Sequence, residues 1–208
     1  GNVGAGTGAV AAGIKGGLGN AMRTFSDGTV VAALAVVNAA GTLVDPASGL
    51  PWLAGHGLRR PDREERRRLN DLLSTRLGSL ELPALNTTIG VVATNAALTK
   101  AECTKLAQVA HDGLARAAQP SHLMVDGDTV FALSVPSAST PDVPDPGVSA
   151  NTSGGLAGPG SRAAFLNRLL AASADAFAAA CLDALLSAQG VPGFPSYRDI
   201  CPTAFPRG

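Results

Sequence analysis

The sequence predicts an α/β fold of the layered, α+β kind, and three stretches carry that expectation. Ile89 to Thr94, Thr99 to Ala118 and Thr129 to Val135 read as strand, helix and strand in close succession, the order of a unit in which a helix covers a sheet. Thr29 to Val37 is a continuous apolar run of the sort buried on both faces of a sheet. Arg162 to Ala188 reads as a long alanine-rich helix with Leu166, Leu170, Ser173, Phe177, Cys181 and Ala184 along one face. Its other side is also weakly polar, so another layer or subunit is expected to cover it.

The remaining elements follow in chain order. The opening GNVGAGTGAVAAGIKGGLG is rich enough in glycine to read as loop or close backbone packing. It starts in mid-motif without a methionine, and upstream sequence is expected to be missing. Met22 to Phe25 and Thr29 to Val37 read as two strands joined by the Ser26-Asp27-Gly28 turn. Asn38-Ala39-Ala40-Gly41 breaks the run and Thr42 to Val44 resumes it, which predicts a hairpin with Asn38 at its bend. Pro61 to Leu77 is helical in composition, with Pro61 suited to the first turn and Leu69, Leu72, Leu73 and Leu77 on one side. The charges between Arg59 and Arg68 read as its solvated face. Within Thr99 to Ala118, Leu106, Val109, Ala110 and Leu114 face inward. Leu80 to Leu85 is expected to be a mobile tail, Pro136 to Pro159 an exposed loop, and everything after Gly190 irregular.

Composition narrows the function classes. The 208 residues are 46% hydrophobic and 15% charged, enough to bury a core as one large or two small domains. Sixteen basic residues balance sixteen acidic ones, so bulk charge points to no nucleic-acid or anionic-membrane partner. Three scattered cysteines, Cys103, Cys181 and Cys201, make neither a disulfide framework nor a metal cluster, and a reducing, cytoplasmic location is expected. The apolar runs around Val30 to Val37 and Ala176 to Leu186 read as too short to span a bilayer.

The most telling segment is Asn86-Thr87-Thr88-Ile89-Gly90-Val91-Val92-Ala93-Thr94, where two hydroxyl residues open a β-branched strand behind an asparagine. A threonine hydroxyl barely ionises at neutral pH and needs an adjacent base. A freed α-amine, with a pKa of about 7.7–8.0, is such a base, and threonine with its own N-terminal amine is a known substitute for a Ser-His-Asp triad. Cleavage between Asn86 and Thr87 would create that amine. The alternative is a turn feeding an ordinary strand.

Four motifs in order, GNVGAGTGAVAAGIKGGLG, AVVNAAG, LNTTIGVVATNAALTK and HLMVDGDTVFAL, resemble the DmpA/NylC family of self-cleaving amide hydrolases, which includes β-aminopeptidases and 6-aminohexanoate-oligomer hydrolases. The resemblance covers nearly the whole chain. It implies helices sandwiching two β-sheets, as in ornithine acetyltransferase, with residues 1–86 as the later part of an α subunit and 87–208 as a β subunit beginning at the nucleophile. It also implies a homotetramer and an N-terminal segment ahead of the first motif.

Residue roles carry over singly. Thr87 matches the family nucleophile, and some relatives use serine there. Asn38 matches an asparagine that stabilises the oxyanion through its side-chain amide, a donor worth about 2.7–4 kcal/mol of barrier. Read alone, it is equally a turn residue. Lys15 matches a lysine near the nucleophile, where a cation would favour the neutral amine; read alone, it is a solvated lysine in a glycine loop. Asp126 and Asp128, in DGD before the Thr129 strand, match a pair that contacts the nucleophile's amine and hydroxyl; a plain turn or a calcium-like loop is the other reading, and the spacing falls short of an EF-hand.

Other motifs are weaker. Gly4-Ala5-Gly6-Thr7-Gly8-Ala9 fits a dinucleotide fingerprint in letters, without a strand before it. His56, His111 and His122 lack metal-ligand spacing, so no metal or other cofactor is expected, and His111 reads as a surface or packing residue. Ser134 and Ser121 sit in no nucleophile elbow. Three functions remain: a hydrolase of peptides or amino-acid oligomers, a non-catalytic or unprocessed binding module, and an acyltransferase using the same covalent intermediate.

Overall fold

The computed structural model describes residues 1–53, 57–77, 86–136 and 161–206. Its centre is a four-stranded sheet in the order β3-β4-β5-β6, formed by β3 (Gly17–Thr24), β4 (Val30–Val37), β5 (Ile89–Thr94) and β6 (Thr129–Ser134). β1 (Val10–Ala11) and β2 (Ile14–Lys15) make a separate two-stranded ribbon. β4 pairs antiparallel with both β3 and β5, whereas β5 and β6 run parallel. A parallel pair needs a crossover, and α2 (Lys100–Ala117) supplies it. Strands from both sides of the Asn86–Thr87 bond therefore share one sheet.

α2 packs on α3 (Arg162–Ser187), and together they cover one face of the sheet. Alternation sets that face: Val31, Ala33, Ala35, Val37 and Val92 are buried on it. The approach of α3 is close because small residues meet there. A β-carbon on Gly90 would stand 2.1 Å from Phe177 Cε2, and one on Gly19 would stand 2.0 Å from the carbonyl oxygen of Ala180. The alanines of α3 have the same purpose, with Ala172, Ala176, Ala180 and Ala184 all buried. The expected cover for its second side is α2, where Gly113 approaches Ala174. The opposite sheet face leaves Met22, Leu34, Ile89, Phe131 and Leu133 exposed.

Where a cap marks them, the helix starts fall within two residues of the expected ones, with Pro61 ahead of the first helix rather than in its first turn. Thr99 and Glu102 form a reciprocal capping box at the start of α2. α1 (Arg63–Leu77) starts behind Asp62, whose Oδ1 accepts the Glu65 N–H. Four expectations need correction. Thr42 pairs with Gln119 and Val44 with Pro51, so no hairpin forms on β4; Gly41 lies against the Gln119–Pro120 backbone, where a β-carbon would meet the Pro120 oxygen at 1.9 Å. Glu65 does not belong to a solvated face: it is buried and accepts both the N–H and the hydroxyl of Thr203. The chain after Gly190 is ordered around α4 (Tyr197–Ile200), whose buried Tyr197 donates to the Gly49 oxygen. Finally, α3 is long enough for a membrane span and holds an 18-residue window with a mean hydropathy of 1.7, but 61% of that window is buried inside the fold, as in a core helix. Leu80 to Leu85, His56 and most of Pro136 to Pro159 lie outside the described residues.

Candidate active site

The edge where β5 and β6 begin gathers most of the residues singled out in the sequence. Asn86 bridges to Asp126 in parallel register, extending the β5–β6 pairing toward the chain segment ahead of Thr87. Thr88 is fully buried and Thr87 half-buried.

The Asn86–Thr87 peptide is held from both ends. The Thr87 N–H donates to the main-chain oxygen of Asn38 at 2.8 Å. The Asn86 carbonyl oxygen accepts the Gly127 N–H at 2.8 Å and the Thr87 hydroxyl at 2.6 Å. One main-chain donor thus polarises this carbonyl while the neighbouring hydroxyl lies against it.

Asn38 lies just past the end of β4. Its Oδ1 accepts the Val10 N–H at 3.0 Å, and because an N–H can only donate, the amide Nδ2 must point to the other side of the side chain. The Asp126 carboxylate fixes the same bend. Its two oxygens accept the N–H groups of Ala40 and Leu123, each at 3.0 Å, so it clasps the chain after Asn38 to the entrance of β6.

Asp128 reaches the residue after the nucleophile. Its Oδ1 accepts the Thr88 N–H at 2.8 Å, and its Oδ2 lies 2.8 Å from Nδ1 of His122, with the carboxylate side chain only 4% exposed. The His122 ring in turn sits 5.0 Å from that of His111 on α2. Burial, and next the neighbouring His122, lower the pKa of His111.

Lys15 is placed differently from the other four. Only 1% exposed, it donates from Nζ to the main-chain oxygens of Gly6, Ala9 and Gly16 at 2.8 to 2.9 Å. Burial lowers its pKa. Ala9 precedes Val10, the residue bonded to Asn38, so Lys15 is linked to the site through the glycine-rich turn.

Two contributors escaped the sequence reading. Gly127 read as a spacer between two aspartates, yet it brings a main-chain donor. His122 was set aside for lack of metal-ligand spacing, and its position four residues before Asp126 was the only available signal. Among the described residues no cluster of three or more metal-binding side chains occurs.

The layered arrangement of helices over this sheet is the one found in proteins of the N-terminal-nucleophile hydrolase fold, and that likeness gives the class of fold. The chain superposes with a TM-score of 0.59 on the L-aminopeptidase D-Ala-esterase/amidase of Ochrobactrum anthropi, described as a variant of that fold, at 23% identity over 96% of this chain and 50% of the other. It superposes with a TM-score of 0.52 on a Burkholderia sp. beta-aminopeptidase, at 26% identity over 90% of this chain and 46% of the other. Within that class the chain belongs to peptidase family S58, whose model matches residues 1–198. Its relatives include an uncharacterized aminopeptidase of Mycobacterium tuberculosis, 46% identical over 99% of this chain and 58% of the relative. A 6-aminohexanoate-oligomer endohydrolase of Kocuria sp. is 30% identical over 62% of this chain and 36% of that protein. The chain thus spans little more than half the length of the mycobacterial relative.

Proposed function

We propose that this chain forms the nucleophile-bearing part of an amide hydrolase that activates itself by cutting between Asn86 and Thr87. The observation that carries this reading is the Asn86 carbonyl, which accepts the Gly127 N–H while the Thr87 hydroxyl lies 2.6 Å from its oxygen. In self-cleavage the Thr87 oxygen bonds to the Asn86 carbonyl carbon and the C–N bond breaks. The hydroxyl proton ends on the released amine and an ester remains. The Gly127 N–H stabilises the charge that develops on the carbonyl oxygen. Water then splits the ester, leaving an Asn86 carboxylate and a Thr87 with free hydroxyl and free amine.

The mature enzyme repeats the step on substrate. The Thr87 amine, which the Asn38 oxygen is placed to orient, takes the hydroxyl proton as the oxygen attacks a substrate amide. The Gly127 N–H and the Asn38 Nδ2 receive the oxyanion. Asp126 and Asp128 hold the two chain segments that form this site, and Lys15 holds the glycine-rich turn. Substrates are short peptides or amino-acid oligomers, in line with the aminopeptidase and oligomer-endohydrolase names of the relatives. The working form is a cytoplasmic homotetramer of subunits made of residues 1–86 and 87–208, the former joined to upstream chain. It needs no cofactor and acts apart from nucleic acid and membrane.

Intact mass and N-terminal sequencing of the full-length protein test the reading. A second amino terminus at Thr87, lost in Thr87→Ala, is the expected result. Amide-hydrolysing protein with a single uncut chain would overturn it.

A further inference from the structure

The contacts behind Thr88 assign a task to a side chain that the mechanism above leaves unused. We propose that His122 is a positioning residue for self-cleavage: it donates from Nδ1 to Asp128 and so keeps that carboxylate on the Thr88 N–H, fixing the strand end that presents Thr87. The proposal rests on the reading of Asn86–Thr87 as the bond that is cut.

The geometry leaves little choice of direction. A carboxylate only accepts, so at 2.8 Å the Nδ1 of His122 must carry the proton. Asp128 is nearly sealed from water, with the Thr88 N–H on one of its oxygens and His122 Nδ1 on the other. Take the imidazole away and one oxygen of a buried carboxylate loses its donor, which favours rotation of the side chain toward water and away from Thr88. The neighbouring Gly127 peptide, which reaches the Asn86 oxygen, moves with it.

The backbone supports a built position. His122 has a φ of 57°, a left-handed conformation that side chains other than those of asparagine, aspartate and histidine rarely adopt. Asparagine combines that tolerance with an amide donor at the depth of Nδ1, while glycine tolerates the conformation and donates nothing. Comparing the two removes backbone strain as an explanation. Among the described residues, the charged or titratable groups around His122 include Asp128 at the β6 entrance, Asp126, which accepts the adjoining Leu123 N–H, and His111 on α2, with Asp112 acting on His111.

The test uses the full-length protein. His122→Gly should slow appearance of the Thr87 terminus about tenfold or more, the scale of one lost hydrogen bond to a charged group, and His122→Asn should restore it to within about threefold. In the uncut Thr87→Ala background, His122→Gly should speed hydrogen exchange at the Thr88 amide and His122→Asn should not. Equal cleavage rates for His122→Gly and the parent overturn the proposal, as does a slow His122→Asn variant that folds normally. A parent that never cuts, with the exchange difference intact, would leave His122 holding the strand end and remove the self-cleavage reading instead.

Discussion

Gly127 lies so close to Thr87 that a β-carbon built on it would stand 2.8 Å from the threonine Oγ1. The glycine keeps an ordinary backbone conformation, so Gly127→Ala adds no conformational strain of its own, and the Thr87 side chain must rotate to make room. The fold should lose less than about 1 kcal/mol. Self-cleavage should fall about a hundredfold, because the hydroxyl leaves its place beside the Asn86 oxygen while the Gly127 N–H stays. Melting temperature and the time course of fragment formation together check this; a variant that cuts at the parental rate would sink it.

Asn38 carries two contacts that substitution can separate. Its Oδ1 accepts the Val10 N–H, and its amide nitrogen is the proposed oxyanion donor. Asn38→Asp keeps an acceptor for Val10 and removes the donor, so it should retain stability and lose turnover by about a hundredfold. Asn38→Ala removes both and should also lose about 1–2 kcal/mol, since the Val10 N–H is left without its partner. Denaturant midpoints beside kcat for the two variants decide it. If Asn38→Asp turns over normally, the amide has no part in catalysis.

Much of this architecture was legible in the sequence because it is local. The α2 start is written in Thr99 and Glu102, the close packing of the first segment in its glycines, and the candidate site in the NTT and DGD motifs. What escaped depends on chain segments far apart. The burial of Glu65 is set by Thr203 and the partner of Asn38 is Val10, while Thr42 finds Gln119 in place of β4. No periodicity encodes such pairings. The main-chain donor of Gly127 has no side chain to announce it, and His122 became interpretable only once Asp128 stood beside it.

A bidentate ion pair ties the starts of the two helices together. Arg162 donates from Nε and an Nη to the two Glu102 oxygens at 2.7 and 2.6 Å. That contact, with help from Thr99, lowers the Glu102 pKa from 4.5 to about 2 against the opposing effect of burial. A carboxylate whose folded pKa is depressed stabilises the fold fully above its unfolded value and loses that contribution as pH falls through the folded one. Glu102→Gln should therefore lower stability by about 2 kcal/mol at neutral pH, with the gap to the parent closing between pH 4.5 and about 2. A gap that stays constant over that range would show that packing, not charge, is lost.

Lys15 offers the sharpest division between holding the fold and doing chemistry. Its ammonium is buried against three main-chain oxygens, those of Gly6, Ala9 and Gly16. In Lys15→Met those oxygens lose their donor while a side chain of similar length fills the space, so the protein should lose about 3 kcal/mol. Self-cleavage should slow as well, because the turn that carries Val10, and through it Asn38, loses its anchor. Burial lowers the lysine pKa from 10.5, so the folded state sheds this proton before the unfolded chain does. The parent's stability therefore gains a contribution as pH rises toward 10.5 that Lys15→Met lacks. Chemical denaturation of both proteins across alkaline pH, set beside their cleavage rates, separates the roles. A Lys15→Met protein as stable as the parent but unable to cut would mean that the ammonium acts on the reacting groups themselves.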